Sequence, residues 1–173
     1  MPSDDPLRQV CVKGVALLKS RITIHSVNKM AEFAPVFRVG RRGVGAGNSV
    51  FIIAEAGVNH FGNLDKALAL VDLAADAGAD AFKTQAFDTS RLVSVRSPEW
   101  RERLRPKEVS FEFLKRVKEH CDRRGILFMC TAHDESVLPW LDALNVPAFK
   151  IGSGERSNLP YFREIARRGK PVI

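Results

Sequence analysis

The sequence predicts an α/β protein with a parallel sheet, and three observations predict it. From residue 51 onward, short continuous apolar runs alternate with amphipathic stretches of helical period. Gly78, Gly125 and Gly169 close three of those stretches, where a left-handed residue ends a helix. Each apolar run also leads into polar or charged residues, as strands do when their carboxyl ends face a binding site.

The bulk numbers set the class. A chain of 173 residues, 45% hydrophobic and 27% charged, is long enough to bury one core. No apolar run approaches the roughly 20 residues that span a bilayer, so no membrane partner is expected. The net charge of +7 is unevenly placed: residues 1–50 carry eight Lys/Arg against three Asp/Glu, which leaves +2 for the rest. That excess lacks interleaved aromatics or a nucleic-acid motif, so no nucleic-acid partner is expected. Cys11, Cys121 and Cys130 are scattered with no CxxC pair. They point to a reducing, cytoplasmic setting rather than to a disulfide framework or a zinc site.

Residues 1–34 read as a poorly structured leader, with Met30 a candidate true start, and residues 35–173 as the domain. The leader mixes Val10, Val12, Lys13, Val15, Leu17, Leu18 and Lys19 without a cap or turn. Its apolar stretch is short and broken by lysines, unlike a secretory signal, and Asp4 and Asp5 weigh against a basic targeting helix. Residues 35–50 read as a hairpin, Phe37 and Val39 on one face and Arg38 on the other. Gly40, Gly43, Gly45 and Gly47 follow as turn glycines; they precede the first long strand, so they are not a dinucleotide-binding loop.

Phe51–Ala54 is expected to be a strand buried on both faces. Asn63 caps a helix through Ala77, with Leu64, Leu68, Val71 and Ala75 on its apolar face. Residues 79–82 lead into the second strand. A second helix runs from a Ser110 cap to Gly125 and buries Phe111, Leu114, Val117 and Cys121; Ile126–Cys130 is the third strand. Asp134 caps a third helix with Val137, Leu138, Leu141 and Leu144 inward, and Pro139 either kinks it or delays its start. Ala148–Ile151 is the fourth strand, residues 159–168 a fourth helix, and residues 171–173 begin a fifth strand.

An open doubly wound sheet usually announces itself by a glycine-rich loop after its first strand. Here that position reads Glu55-Ala-Gly-Val-Asn-His60, with one glycine. The expected fold is therefore the N-terminal portion of a (β/α)8 TIM barrel, about five parallel strands, ending before closure. Unpaired strand edges in such a piece lead us to expect that residues 1–173 alone self-associate or aggregate and do not turn over substrate.

In a barrel the carboxyl ends of the strands share one mouth. That brings together Glu55, Lys83, Gln85, Thr131, Lys150, Ser153 and Glu155, far apart in sequence. Lys83 and Lys150 each follow an Ala-Phe pair inside an apolar stretch. A buried lysine needs an anionic partner, so the two imply either paired glutamates or a bound anion. Gly152-Ser153-Gly154 is a tight turn whose N–H groups can meet a phosphate. Asn59-His60 reads equally as an Asx-type turn or as part of the site. His120 reads as solvated; His133 lies just past a strand end; no two histidines have metal-ligand spacing on one element.

Three ordered motifs, Phe51-Ile-Ile-Ala-Glu-Ala-Gly-Val-Asn-His60, Phe82-Lys-Thr-Gln85 and Phe149-Lys-Ile-Gly-Ser-Gly-Glu155, resemble those of the N-acetylneuraminate (sialic acid) synthases. That group includes legionaminic and pseudaminic acid synthases and spore-coat polysaccharide enzymes. The resemblance covers residues 35–173. It implies condensation of phosphoenolpyruvate with an N-acetylmannosamine-type sugar to a nine-carbon 2-keto acid plus phosphate. It also implies that Lys83, Thr131, Lys150 and Ser153 hold the phosphate and carboxylate of phosphoenolpyruvate and that Gln85 and Glu155 lie near the sugar. Glu55 matches an essential acidic position, so Glu55 and Glu155 are the catalytic candidates; Asn59 and His60, which close the first motif, join the substrate-binding ones. By the same resemblance a divalent metal (Mn2+ or Mg2+) is bound by two histidines on later strands, beyond this chain, and the full-length enzyme is a homodimer. Relatives usually read Ser-Thr-Pro-Phe at the third strand, where this chain has Cys130-Thr-Ala-His133. Related sugar-acid synthesis, or a non-catalytic remnant that keeps an anion pocket, are the alternatives.

Overall fold

The computed structural model describes residues 35–173, so the readings of the leader and of Met30 lie outside the described residues. Strands β1 (Val36–Val39) and β2 (Arg42–Gly45) form the antiparallel hairpin. Gly40 sits at φ 58°, and a Cβ there would come 3.1 Å from Leu127 Cδ2, so the turn rests on that side chain because it has none of its own.

The main sheet is parallel, in the order β3 (Ile53–Gly57), β4 (Ala81–Ala86), β5 (Leu127–Ala132). The fourth and fifth segments extend it by single parallel bridges, Thr131 with Lys150 and Phe149 with Val172. Phe149 N–H donates to Pro171 O and Ile173 N–H to Phe149 O, 2.8 and 2.9 Å. Five parallel segments therefore lie side by side, an arc of a β/α barrel.

Helices cover the arc where the caps predict them. Asn63 Oδ1 accepts from Lys66 N at the start of α1 (Leu64–Asp76), 2.8 Å. After β4 come two short helices, α2 (Thr89–Leu92) and α3 (Pro98–Leu104). Ser110 Oγ accepts from Phe113 N at the head of α4 (Phe111–Arg124), which Gly125 ends at φ 72°. Asp134 caps a 3-10 turn, Glu135–Val137, before α5 (Leu138–Ala143) begins with Pro139 in its first turn. Proline lacks the N–H but a first turn does not use it, so Pro139 delays the helix rather than kinking it. Asn158 heads α6 (Leu159–Ala166).

Two expectations are corrected. The first strand lies two residues later than Phe51–Ala54, and Ile52 is 54% exposed rather than buried. Ile52 N–H is held by the Asp80 carboxylate at 2.8 Å, and among the described strands β3 is an edge. Residues 88–107 carry α2 and α3, which the apolar period did not announce: α3 buries no residue, so there was no period to read.

Side chains alternate across the strands. Phe82, Phe128 and Phe149 point outward into one core with Leu114, Val117, Leu138, Leu141 and Tyr161. Ala81, Met129 and Ala148 point inward and form a second core with Val39 of the hairpin, flanked by Phe37, Val44, Ile53 and Leu127. The hairpin thus plugs the amino ends of the strands. Polar residues occupy the same inward rows at the carboxyl ends.

Candidate active site

Glu55 and Lys83 stand opposite each other in the β3–β4 register and form an ion pair. Lys83 is 7% exposed; the paired carboxylate makes its burial tolerable. Its Nζ also donates to Thr131 Oγ1 on β5, 3.2 Å. Gln85, one inward step further along β4, donates through Nε2 to Glu55 Oε1, 3.3 Å, and its Oε1 faces His133 Nε2 at 3.2 Å. Thr131, Lys83, Glu55, Gln85 and His133 therefore make one continuous row across three strands. Gly57, at φ 57°, leaves room for it: a Cβ there would lie 3.2 Å from Glu55 Oε1 and 3.3 Å from Gln85 Nε2.

The next segment adds Lys150 beside Thr131, half-buried, its Nζ donating to Ile151 O at 2.6 Å. Ser153 is exposed at the start of a 3-10 turn, Ser153–Glu155. Glu155 is oriented by Asn158, whose Nδ2 donates to its Oε2 at 2.8 Å. The ring of His133 lies against Gly152, where a Cβ would meet Cε1 at 3.3 Å. Burial lowers the pKa of His133, the Glu155 carboxylate opposes that, and Lys83 adds to the lowering. A cationic pair flanked by hydroxyls, with carboxylates and an imidazole at the rim, suits a small multiply charged anion and a polar second ligand.

Two candidates are not brought to this row. His60 is completely buried on the helix side of the sheet, because its partner Thr84 is an outward position of β4. Its Nε2 meets Thr84 Oγ1 at 3.0 Å, its Nδ1 accepts from Gly62 N–H at 3.1 Å, and its ring packs 4.9 Å from that of Phe113. Both nitrogens are used, so His60 braces the loop from beneath. Asn59 is exposed in that turn, its N–H donating to Ala56 O. His120, read as solvated, is instead clasped between helices, Nε2 to Asp72 Oδ1 at 2.7 Å. Cys121 and Cys130 are free and buried; burial pushes the Cys121 thiol up to about 12 and the Cys130 thiol higher still, so both are core residues and not nucleophiles.

Among the described residues no three His, Cys, Asp or Glu side chains converge as a metal site. No helix of the described residues is long and apolar enough to cross a membrane. A cleft of about 750 Å3 opens at the opposite end of the strands between Arg38, Arg42, Lys118 and Lys170. Its cations are largely spoken for: Arg42 pairs with Asp80, Lys118 with Asp122, and Lys170 donates to Asn145 Oδ1 and Val146 O. The mouth, not this cleft, gathers the chemistry. Two features complete the mouth, the first of them noticed in the sequence only as lying just past a strand end and not assigned to the site. His133 continues the inward period of Leu127, Met129 and Thr131, and that spacing marks it. Asp134 also accepts from Asp88 N–H, 2.8 Å, tying neighbouring rim loops; nothing in the spacing of residues 88 and 134 signals it.

Fold and mouth together define a class: a β/α-barrel protein whose inward strand ends carry a lysine-rich polar site. The chain belongs to the NeuB family, whose model matches residues 70–173. It is 36% identical over 148 residues to the spore coat polysaccharide biosynthesis protein SpsE of Bacillus subtilis, covering 79% of this chain and 39% of that protein. To human N-acetylneuraminate-9-phosphate synthase it is 33% identical over 144 residues, 76% of this chain and 40% of the other. The solved N-acetylneuraminic acid synthetase of Leptospira borgpetersenii serovar Hardjo-bovis, in complex with citrate, superposes with a TM-score of 0.76 at 34% identity. That match covers 79% of this chain and 48% of that one. The chain spans about 40% of the length of the curated relatives it matches.

Proposed function

We propose that the protein carrying this chain condenses phosphoenolpyruvate with an N-acetylmannosamine-type sugar, giving a 2-keto sugar acid and phosphate. The observation that carries the reading is the buried Lys83, shared between Glu55 and Thr131 at the carboxyl ends of three adjacent parallel strands. Membership of a family whose relatives are named as sugar-acid synthases supports it.

In this reading a carbon–carbon bond forms between the phosphoenolpyruvate methylene and the sugar aldehyde carbon. Water adds to the enol carbon, the carbon–oxygen bond to phosphate breaks, and the former aldehyde oxygen takes up a proton. Lys83, Lys150, Thr131 and Ser153 neutralise and orient the phosphate and carboxylate. Glu55 leaves its pairing with Lys83 as the anion arrives and handles the water or the proton. Gln85 and Glu155 hold the sugar, with Asn59 on the rim; His60 acts through the loop it braces. A divalent metal would come from residues outside those described here, and no step is assigned to it. A cytoplasmic setting and a homodimeric full-length protein belong to the same proposal.

The test is phosphate release by the intact protein from phosphoenolpyruvate with N-acetylmannosamine in 18O-labelled water. The label is expected at the keto carbon of the product and not in phosphate. Label in phosphate, or no release with the sugar, overturns the reading. Glu155→Gln is expected to raise the KM for the sugar more than that for phosphoenolpyruvate.

A further inference from the structure

The polar row fixes the tautomer of His133. Gln85 gives its Nε2 to Glu55, so its Oε1 is the end turned toward the imidazole. An oxygen can only accept, so the proton of the neutral ring sits on Nε2. Nδ1 is then a bare lone pair, and among the described residues no group donates to it. It stands at the rim beside Gly152, where a side chain would place its Cβ 3.6 Å away. Open to solvent at the rim and held by no protein donor, next to residues assigned to the second ligand, it is free to accept from a ligand donor that displaces water.

We propose that His133 selects the acceptor sugar: Nδ1 accepts a hydrogen bond from a hydroxyl or acylamino N–H of the sugar, while Nε2–H holds Gln85 in place. This rests on the condensation reading above. It makes the carbon of the sugar that faces β5 one that bears a hydrogen-bond donor, and a deoxy acceptor at that carbon a poor substrate. Protonation would turn Nδ1 from acceptor to donor and undo the contact. The charged groups facing the ring are Glu155 from the turn after the fourth segment, Lys83 from β4, Glu55 from β3, and Asp134 beside it. Burial is the largest influence and favours the neutral, accepting form.

Two variants separate the nitrogens in the intact protein. Asparagine places its amide where Nδ1 lies, and glutamine places its own where Nε2 lies. His133→Gln keeps the hold on Gln85 and is expected to raise the KM for N-acetylmannosamine about tenfold, with that for phosphoenolpyruvate within about twofold. His133→Asn is expected to keep the sugar KM within about threefold and to remove its rise at acid pH. Imidazole 15N spectra of the protein, with His133→Asn identifying the resonance, supply a readout independent of turnover. Adding N-acetylmannosamine is expected to shift Nδ1 and leave Nε2 protonated. A shift without turnover keeps the contact and discards the condensation. Turnover without a shift, or equal KM changes for both substrates in His133→Gln, overturns the role of His133. Neither shift nor turnover overturns both.

Discussion

The two faces of the parallel sheet are built from the same strands and do opposite work. On the outer face Phe82, Phe128 and Phe149 repeat one solution, a phenylalanine from each of three neighbouring strands packed under helices. On the inner face the residues just beside them are Ala81 and Lys83, Met129 and Ala148, then Lys150. The outer row is uniform because its only task is to exclude water. The inner row changes character along its length, apolar where the hairpin plugs it and charged where it opens. A period of two residues thus separates stability from chemistry within a single strand.

That contrast is open to attack in order of effect. Phe128→Ala, wholly on the outer face, is expected to lower unfolding free energy by about 3–5 kcal/mol in a denaturant titration. The sugar and phosphoenolpyruvate KM values of the protein that remains folded should be unchanged. Lys83→Met reverses the pattern: kcat/KM for phosphoenolpyruvate falls by more than about 30-fold, roughly 2 kcal/mol. Stability there shifts by less than about 1 kcal/mol, because the Glu55 left behind is exposed enough to be solvated and an apolar chain of similar volume fills the place of the buried cation. A large stability loss in Lys83→Met would erase the distinction between the faces.

His60 sharpens the boundary, since it lies outside yet near the mouth. His60→Gln is expected to lose about 1–2 kcal/mol of stability through its two hydrogen bonds. Burial is the largest influence on the His60 ring and lowers its pKa below the ordinary 6.5. The unfolded chain therefore takes up the proton first, so stability is full above about pH 6.5 and declines as pH falls below it. Unfolding titrations at several pH values should show a shallower decline in His60→Gln than in the parent. The smallest effect belongs to the helix surface: Lys118→Ala removes an exposed pair with Asp122 and should cost about 0.5 kcal/mol or less.

The sequence was readable wherever one residue type has one physical reason to be there. Asn63, Ser110 and Gly125 mark helix ends because a free N–H or a left-handed turn must be satisfied locally. That the buried Lys83 needs an anion could be read on paper, but whether the partner is a glutamate or a ligand, and that it is Glu55, needed the β3–β4 register. The start of β3 could not: its apolar run begins before pairing does, and Asp80, 28 residues away, decides where Ile52 is held. His60 was ambiguous for a related reason. Which side of the sheet it joins depends on the parity of Thr84, and only the register of β4 supplies that. The link from Asp134 to Asp88 depends on loops meeting in space and leaves no trace in either segment.

The hairpin has a kinetic consequence. Val39 is fully buried against Ala81, Met129 and Ala148, so on the described arc the interior is blind-ended. Along β4, Lys83 lies one inward step deeper than Gln85, and along β5, Thr131, level with Gln85, lies one inward step deeper than His133. On the proposed assignment, traffic through such a shaft is a queue. The phosphate ester must enter before the sugar, and a sugar that arrives first blocks the way. The new acid must leave before the phosphate beneath it is free to go.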